Sequence, residues 1–195
     1  MKKSGLNKKN LIVLGFDNCL YYNAKRNFTL DIAFEDILES VQFFNELSFQ
    51  VELLSNYDFD CDNTHFLLMS GRDSSQKDVI LLYLHEKGFS IKESYFCNFD
   101  FLLDPHVRIN FDEDLYKIKY WAGKVELIHR ISRSEKYNSI IVIESNDVVC
   151  TMLKELGITT IQPTITKSRG QLHVKFIPFN QKSSLHLLEK EVLVN

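Results

Sequence analysis

An α/β domain with a doubly wound, mainly parallel sheet in three layers is the fold this sequence predicts. Three observations predict it. Short apolar runs alternate along the chain with longer stretches of helical periodicity. The runs Leu11–Leu14, Phe66–Met69 and Ile140–Ile143 are unbroken rather than alternating, as in strands buried on both faces. Glycine (7) and proline (3) are too scarce among 195 residues for an all-β protein rich in tight turns.

The elements follow in order. Leu11–Leu14 reads as a buried strand leading into Gly15-Phe16-Asp17-Asn18. From Asp31 the pattern turns helical, with Ile37, Leu38, Val41, Phe44 and Leu47 on one side and Glu35, Asp36 and Glu39 on the other. Residues 56–63 are polar and form a loop. Phe66–Met69 is the second strand, ending at Ser70-Gly71-Arg72. Ser74 or Ser75 can cap the following helix, which runs through Val79, Leu82 and Leu84 towards Gly88. Tyr95–Leu103 reads as a third strand with its loop, and an acidic loop over 104–114 follows.

Residues 116–132 form a helix with Trp121, Val125, Leu127, Ile128 and Ile131 on one side. Ser139–Ile143 is a strand, and Val148–Leu156 a helix closed by Gly157. Ile158–Ile165 is a further strand. Residues 171–179 alternate and suit an edge strand, given Pro178. Ser184–Leu193 has the pattern of a short helix. The expected organisation is a basic tail over 1–10 and one domain over 11–195, which fits ordinary domain size.

Composition narrows the function classes. The chain is 45% hydrophobic and 25% charged, which excludes a disordered or fibrous protein. A net charge of -3 excludes a wholly basic nucleic-acid wrapper, yet the charge is uneven. Lys2, Lys3, Lys8 and Lys9 give residues 1–10 a balance of +4. Residues 100–114 carry -4 and residues 115–136 carry +4. The second basic cluster is either a solvated surface or a place for an anionic ligand or RNA. No apolar stretch is long enough to span a membrane, so no membrane association is expected. Cys19, Cys61, Cys97 and Cys150 lack metal-ligand spacing and read as reduced thiols of an intracellular, cytoplasmic protein, with mitochondrial or nuclear residence left open. The six histidines are scattered and form no catalytic spacing with Ser, Cys or Asp.

In a doubly wound sheet, ligands bind outside the carboxyl ends of the strands. Asp17, Ser70-Gly71-Arg72 and Glu144-Ser145-Asn146-Asp147 stand just past those ends. With Lys124 on the intervening helix, this order of motifs resembles the haloacid-dehalogenase-like superfamily, and within it the Swiss Army Knife RNA-repair-like branch. Leu68-Met69-Ser70-Gly71-Arg72 is similar to that branch's Leu-Thr-Gly-Arg motif, Trp121-Ala122-Gly123-Lys124 to its lysine helix, and Ile143-Glu144-Ser145-Asn146 to its Tyr-Glu-Asp-Arg motif. The resemblance covers roughly residues 11–165.

The resemblance implies a three-layer domain with a minimal cap or none. It also implies phosphoryl chemistry, in which a strand-end aspartate attacks phosphorus while Mg²⁺ and a lysine offset the negative charge. Asp17 and Lys124 take the catalytic positions. Ser70, Gly71 and Arg72 take the phosphate-binding positions, with Glu144 and Asp147 the carboxylates nearest to a Mg²⁺ role. The first motif departs from the family: Leu14-Gly15-Phe16-Asp17-Asn18-Cys19-Leu20 aligns with Asp-x-Asp-x-Thr, so glycine stands at the nucleophile position and Cys19 at the threonine. Ser145 replaces a metal carboxylate.

The leading expectation is therefore a catalytically degenerate domain that binds or assembles, in an RNA or nucleotide-phosphate context and within a protein complex. One alternative is an active Mg²⁺-dependent phosphohydrolase using Asp17. Another is a purely structural interaction module. Each residue also has a plainer reading: Asp17 as a turn cap, Arg72 in an ion pair, Lys124 as a surface lysine, Glu144 and Asp147 as charges at a helix start, and Trp121 as core.

Overall fold

The computed structural model describes residues 8–20, 63–86, 89–97, 112–168 and 171–178. Within them run β1 (Lys9–Gly15), β2 (Thr64–Asp73), α1 (Lys77–Glu86), β3 (Ile91–Cys97), α2 (Glu113–Arg133), β4 (Tyr137–Ile143), α3 (Asp147–Glu155), β5 (Thr159–Ser168) and β6 (Gln171–Pro178). They form one six-stranded sheet in the order β3-β2-β1-β4-β5-β6. The first five strands are parallel, and β6 pairs antiparallel with β5 at the edge.

Alternate residues of a strand point to opposite faces, so each inner strand divides its apolar run between two cores. Ile12, Leu14, Phe66, Leu68, Ile141 and Ile143 pack on one face with Ile80, Tyr83 and Leu84 of α1. Leu11, Val13, Leu67, Met69 and Val142 pack on the other with Val125 and Ile128 of α2 and Val149 and Leu153 of α3. Helices therefore cover both faces, and the protein is an α/β fold of three layers. The chain adds β2 and β3 on one side of β1, then returns to add β4 and β5 on the other. With right-handed crossovers this reversal puts α1 opposite to α2 and α3.

Local chemistry fixes the ends of the elements. Asp73 caps a 3-10 turn at Ser74–Gln76, its carboxylate accepting from the Ser75 amide at 2.8 Å. The capping residue thus precedes the two serines read from the sequence, because Asp73 has the extended backbone a cap needs. Asp112 caps α2, and Asn146 caps α3 by accepting from the Val148 and Val149 amides. At the far end of α3, Gly157 has φ +73. There Ile158 N–H bonds to the Leu153 carbonyl and Gly157 N–H to that of Lys154, the pairing of a left-handed helix stop.

Two boundaries differ from the sequence reading. β3 lies at Ile91–Cys97, beginning four residues before the Tyr95–Leu103 stretch expected to hold it and sharing Tyr95, Phe96 and Cys97 with it. As an outer strand it exposes Lys92 and Glu93, so it lacks the unbroken apolar signature. β1 starts at Lys9, inside the expected basic tail, because its register against β2 and β4 begins there. The edge position of residues 171–178 matches the reading from Pro178. The helices expected from Asp31 and over Ser184–Leu193, the loop 104–111 and any cap lie outside the described residues. No helix among the described residues is long and apolar enough to cross a membrane.

Candidate functional site

The strand order reverses between β1 and β4, and this is the switch point at which doubly wound sheets hold ligands. Asp17 follows β1, Ser70 to Arg72 lie in the last part of β2, and Glu144 follows β4. Lys124 reaches the same place from the middle of α2. Its helix position explains its burial. Lys124 falls three residues after Trp121 and four before Ile128, inside the stripe that faces the sheet.

Two ion pairs occupy the site. Arg72 grips Asp17 with both prongs: Nε lies 3.0 and 3.1 Å from the two carboxylate oxygens, and Nη2 lies 2.5 Å from Oδ1. Arg72 is 8% exposed, and its guanidinium also stacks 5.6 Å from the centre of the Phe16 ring. The Ser70 hydroxyl accepts from the Arg72 amide at 3.1 Å, tightening the turn that aims the guanidinium. Deeper in, Lys124 Nζ donates to Glu144 Oε2, with both side chains buried. The other oxygen of Glu144 accepts from the Asn146 amide at 2.8 Å.

The floor of the site is closed by Cys19. Its thiol points at the Ile143 carbonyl at 3.7 Å and is fully buried. Gly15 lies against it: a Cβ at this position would sit 2.9 Å from Cys19 Sγ, 3.1 Å from the Ile143 carbonyl oxygen and 3.5 Å from Glu144 Oε2. Glycine is thus demanded by close packing. Ser145 donates to the Asp17 carbonyl at 3.0 Å, tying the β1 loop to the β4 loop. Gln162 of β5 donates to the Ser145 carbonyl at 2.9 Å and to Asp147 Oδ1 at 2.6 Å.

All the residues singled out from sequence therefore gather at one end of the sheet, but their partners were not legible. Sequence reasoning missed Tyr116, Tyr120 and Gln162. The tyrosines precede Lys124 by eight and four residues, so helical spacing puts them on its face of α2. That spacing was the available signal. Gln162 had none, since it stands inside β5, a strand paired on both sides, with no motif spacing to mark it. Gly123 is exposed and its Cβ position is open, so Lys124 alone carries the local string's meaning.

Burial and neighbouring charge set the protonation states. Burial pushes the Cys19 thiol far above its ordinary value, with help from Glu144, so it stays neutral. Tyr120 is pushed up to about 12, mainly by burial, against the opposing pull of Lys124. Burial alone would lower Lys124, but the Glu144 carboxylate overrides it and holds the ammonium above its usual 10.5. These groups keep protons in the native state that the unfolded chain loses, from pH 9.0 for the thiol, 10.0 for the phenol and 10.5 for the ammonium. Their contribution to stability is therefore present below pH 9 and is lost as pH rises towards 12. Urea midpoints at pH 7, 9 and 10.5 should decline in that order, and Cys19→Ala should make the first part of the fall shallower.

The set does not fit Mg²⁺. Glu144 is committed to Lys124 and the Asn146 amide, Asp17 to Arg72, and Asp147 Oδ1 to Gln162. Among the described residues no three His, Cys, Asp or Glu side chains are arranged to hold a metal ion. What the arrangement can do is lock the loops after β1, β2 and β4 together through charge pairs that neutralise each other locally. The chain matches no family model, no curated protein and no solved structure.

Proposed function

We propose that this protein is a catalytically degenerate haloacid-dehalogenase-like domain that works by binding or assembly. The strand order, with the Asp17, Ser70, Arg72, Lys124 and Glu144 motifs at one end of the sheet, supports that ancestry. The packing at Gly15 carries the functional half of the reading. The space for a nucleophilic side chain is filled by Cys19 Sγ and the Ile143 carbonyl, so the position is closed as well as mutated. The resemblance puts its setting with RNA, nucleotide phosphate or a larger protein assembly. Arg72 is the natural phosphate contact in such a setting, and an anion would reach it by displacing the Asp17 carboxylate.

Phosphate release from mononucleotides and phosphorylated RNA ends, with and without Mg²⁺, tests the reading. No turnover above background is expected. Mg²⁺-dependent turnover that Asp17→Asn abolishes would overturn it in favour of an active phosphohydrolase. The same variant gives a second readout. Loss of the charged pair should cost about 1–2 kcal/mol, discounted because Asp17 is 31% exposed. Inorganic phosphate or AMP should then raise the melting temperature of Asp17→Asn more than that of the wild type.

A further inference from the structure

β5 outruns its inner neighbour. The β4–β5 register ends at Ile143 and Ile161, where the Glu144 amide donates to the Ile161 carbonyl at 3.0 Å. From Gln162 to Ser168, β5 pairs with β6 alone, starting at Gln162 opposite Ile177 and ending at Ser168 opposite Gln171. At about 3.4 Å per residue this two-stranded ribbon projects roughly 20 Å past the end of β4. Among the described residues β6 is the outermost strand on this side of the sheet.

In a strand the N–H and C=O of one residue point to one side and those of the next residue to the other. Ile161 directs its carbonyl at β4, so Gln162, Thr164, Thr166 and Ser168 direct theirs at β6. Their partners Ile177, Lys175, His173 and Gln171 answer from β6. The main chain of Leu172, Val174 and Phe176 therefore points to the outer edge, where no described strand meets it. Pro178 has the same outward parity, the place where a missing N–H breaks no ladder bond. The register also sorts residues by face. Leu172, Val174 and Phe176 share a face with Pro163 and Ile165, whereas His173 and Lys175 share the other with Thr164 and Thr166. Residues 162–178 carry Lys167, Arg169 and Lys175 and no carboxylate, in a chain whose net charge is -3.

We propose that the outer edge of β6 takes an extended acidic peptide of a partner protein as an added strand. Leu172, Val174 and Phe176 each supply a main-chain donor and acceptor to it. The peptide alternates apolar residues, on the face of Leu172, Val174 and Phe176, with Asp or Glu on the face of His173 and Lys175. Charge decides the occupant. A second copy would bring a second set of the same cations, and the antiparallel register that uses every outward group sets His173 of each strand opposite Lys175 of the other. A nucleic acid would meet the cations and leave the outward N–H and C=O groups unused. The inference does not depend on the chemistry of Asp17, Arg72 and Lys124.

Fluorescence anisotropy of the full chain with labelled acetyl-(Val-Glu)4-amide tests it, and binding should saturate. A block peptide of the same composition, all Val then all Glu, should bind about fivefold weaker or worse, because its two faces are not distinct. Val174→Pro removes one outward N–H and leaves the β5–β6 ladder whole. It should weaken binding at least about tenfold, whereas Val174→Ile should stay within about twofold. Lys175→Glu should weaken binding about threefold or more and make the Val-Lys counterpart the tighter ligand. That variant decides the matter if circular dichroism shows that Val174→Pro does not fold. Amide hydrogen exchange reads the register directly. Added peptide should slow exchange at Leu172, Val174 and Phe176 and leave His173 and Lys175, already paired with β5, unchanged. Absence of saturable binding, equal binding of the block peptide, or wild-type affinity in folded Val174→Pro or in Lys175→Glu would each overturn the proposal. So would tighter binding of a labelled 12-nucleotide RNA. Protection of the Leu172, Val174 and Phe176 amides before peptide is added would also overturn it, since a second copy or another part of this chain would then hold the edge.

Discussion

Gly15→Asp will not create a phosphatase; it will destabilise the protein by about 3 kcal/mol or more. On the proposed reading, the substitution would put a carboxylate where the resembled family carries its nucleophile. Its Cβ alone meets Cys19 Sγ at 2.9 Å and the Ile143 carbonyl at 3.1 Å. The carbonyl is main chain at the end of β4 and would have to give by a few tenths of an ångström, and overpacking of this kind costs about 1–3 kcal/mol. The carboxylate adds a second penalty. It would be buried close to Glu144, whose Oε2 is 3.5 Å from the new Cβ and already neutralised by Lys124. Urea denaturation should show the loss, and the melting temperature should fall by about 6–12 °C for a domain of this size. Gly15→Asp/Cys19→Ala should recover part of it, because the thiol contact goes while the carbonyl contact stays. Wild-type stability in Gly15→Asp would show that the site is open after all.

Lys124→Met should lose about 3–5 kcal/mol, although it replaces a charge with an apolar chain of similar length. The lysine is 6% exposed and Glu144 5%, so removing one partner strands the other in the interior. The Asn146 amide continues to serve one oxygen of Glu144, and Oε2 is left without its cation. Lys124→Met/Glu144→Gln removes both charges and keeps an acceptor for the amide. It should be markedly more stable than Lys124→Met alone, giving a coupling of about 2 kcal/mol or more in a double-mutant cycle. A surface lysine, the plain reading of this residue, would produce changes within about 0.5 kcal/mol in both variants. Denaturant titration of the four proteins separates these outcomes.

These two expectations show where sequence reading was effective. Leu11–Leu14 and Ile140–Ile143 were legible as buried strands because residues facing two cores must be apolar at every position. Gly157 was legible as a helix stop because a φ of +73 is cheap only for glycine. The start of β3 was not legible because Lys92 and Glu93 face solvent, while Tyr95 and Phe96 within the strand carried the apolar pattern. Asp17 and Arg72 were both singled out, but their pairing spans 55 positions and no local rule couples them.

By itself the sequence determined the α/β class, the end of the sheet where polar groups collect, and the glycine at the position where the resembled family keeps its nucleophile. Those depend on periodicity and on short-range residue order, which a linear chain records directly. Tertiary structure alone decided that Lys124 neutralises Glu144, that Arg72 holds Asp17, and that Cys19 and a main-chain carbonyl fill the room beside Gly15. Each of these depends on which groups approach within a few ångströms across the sheet. That proximity is set by packing two cores at near-solid density, and it leaves no trace in residue order.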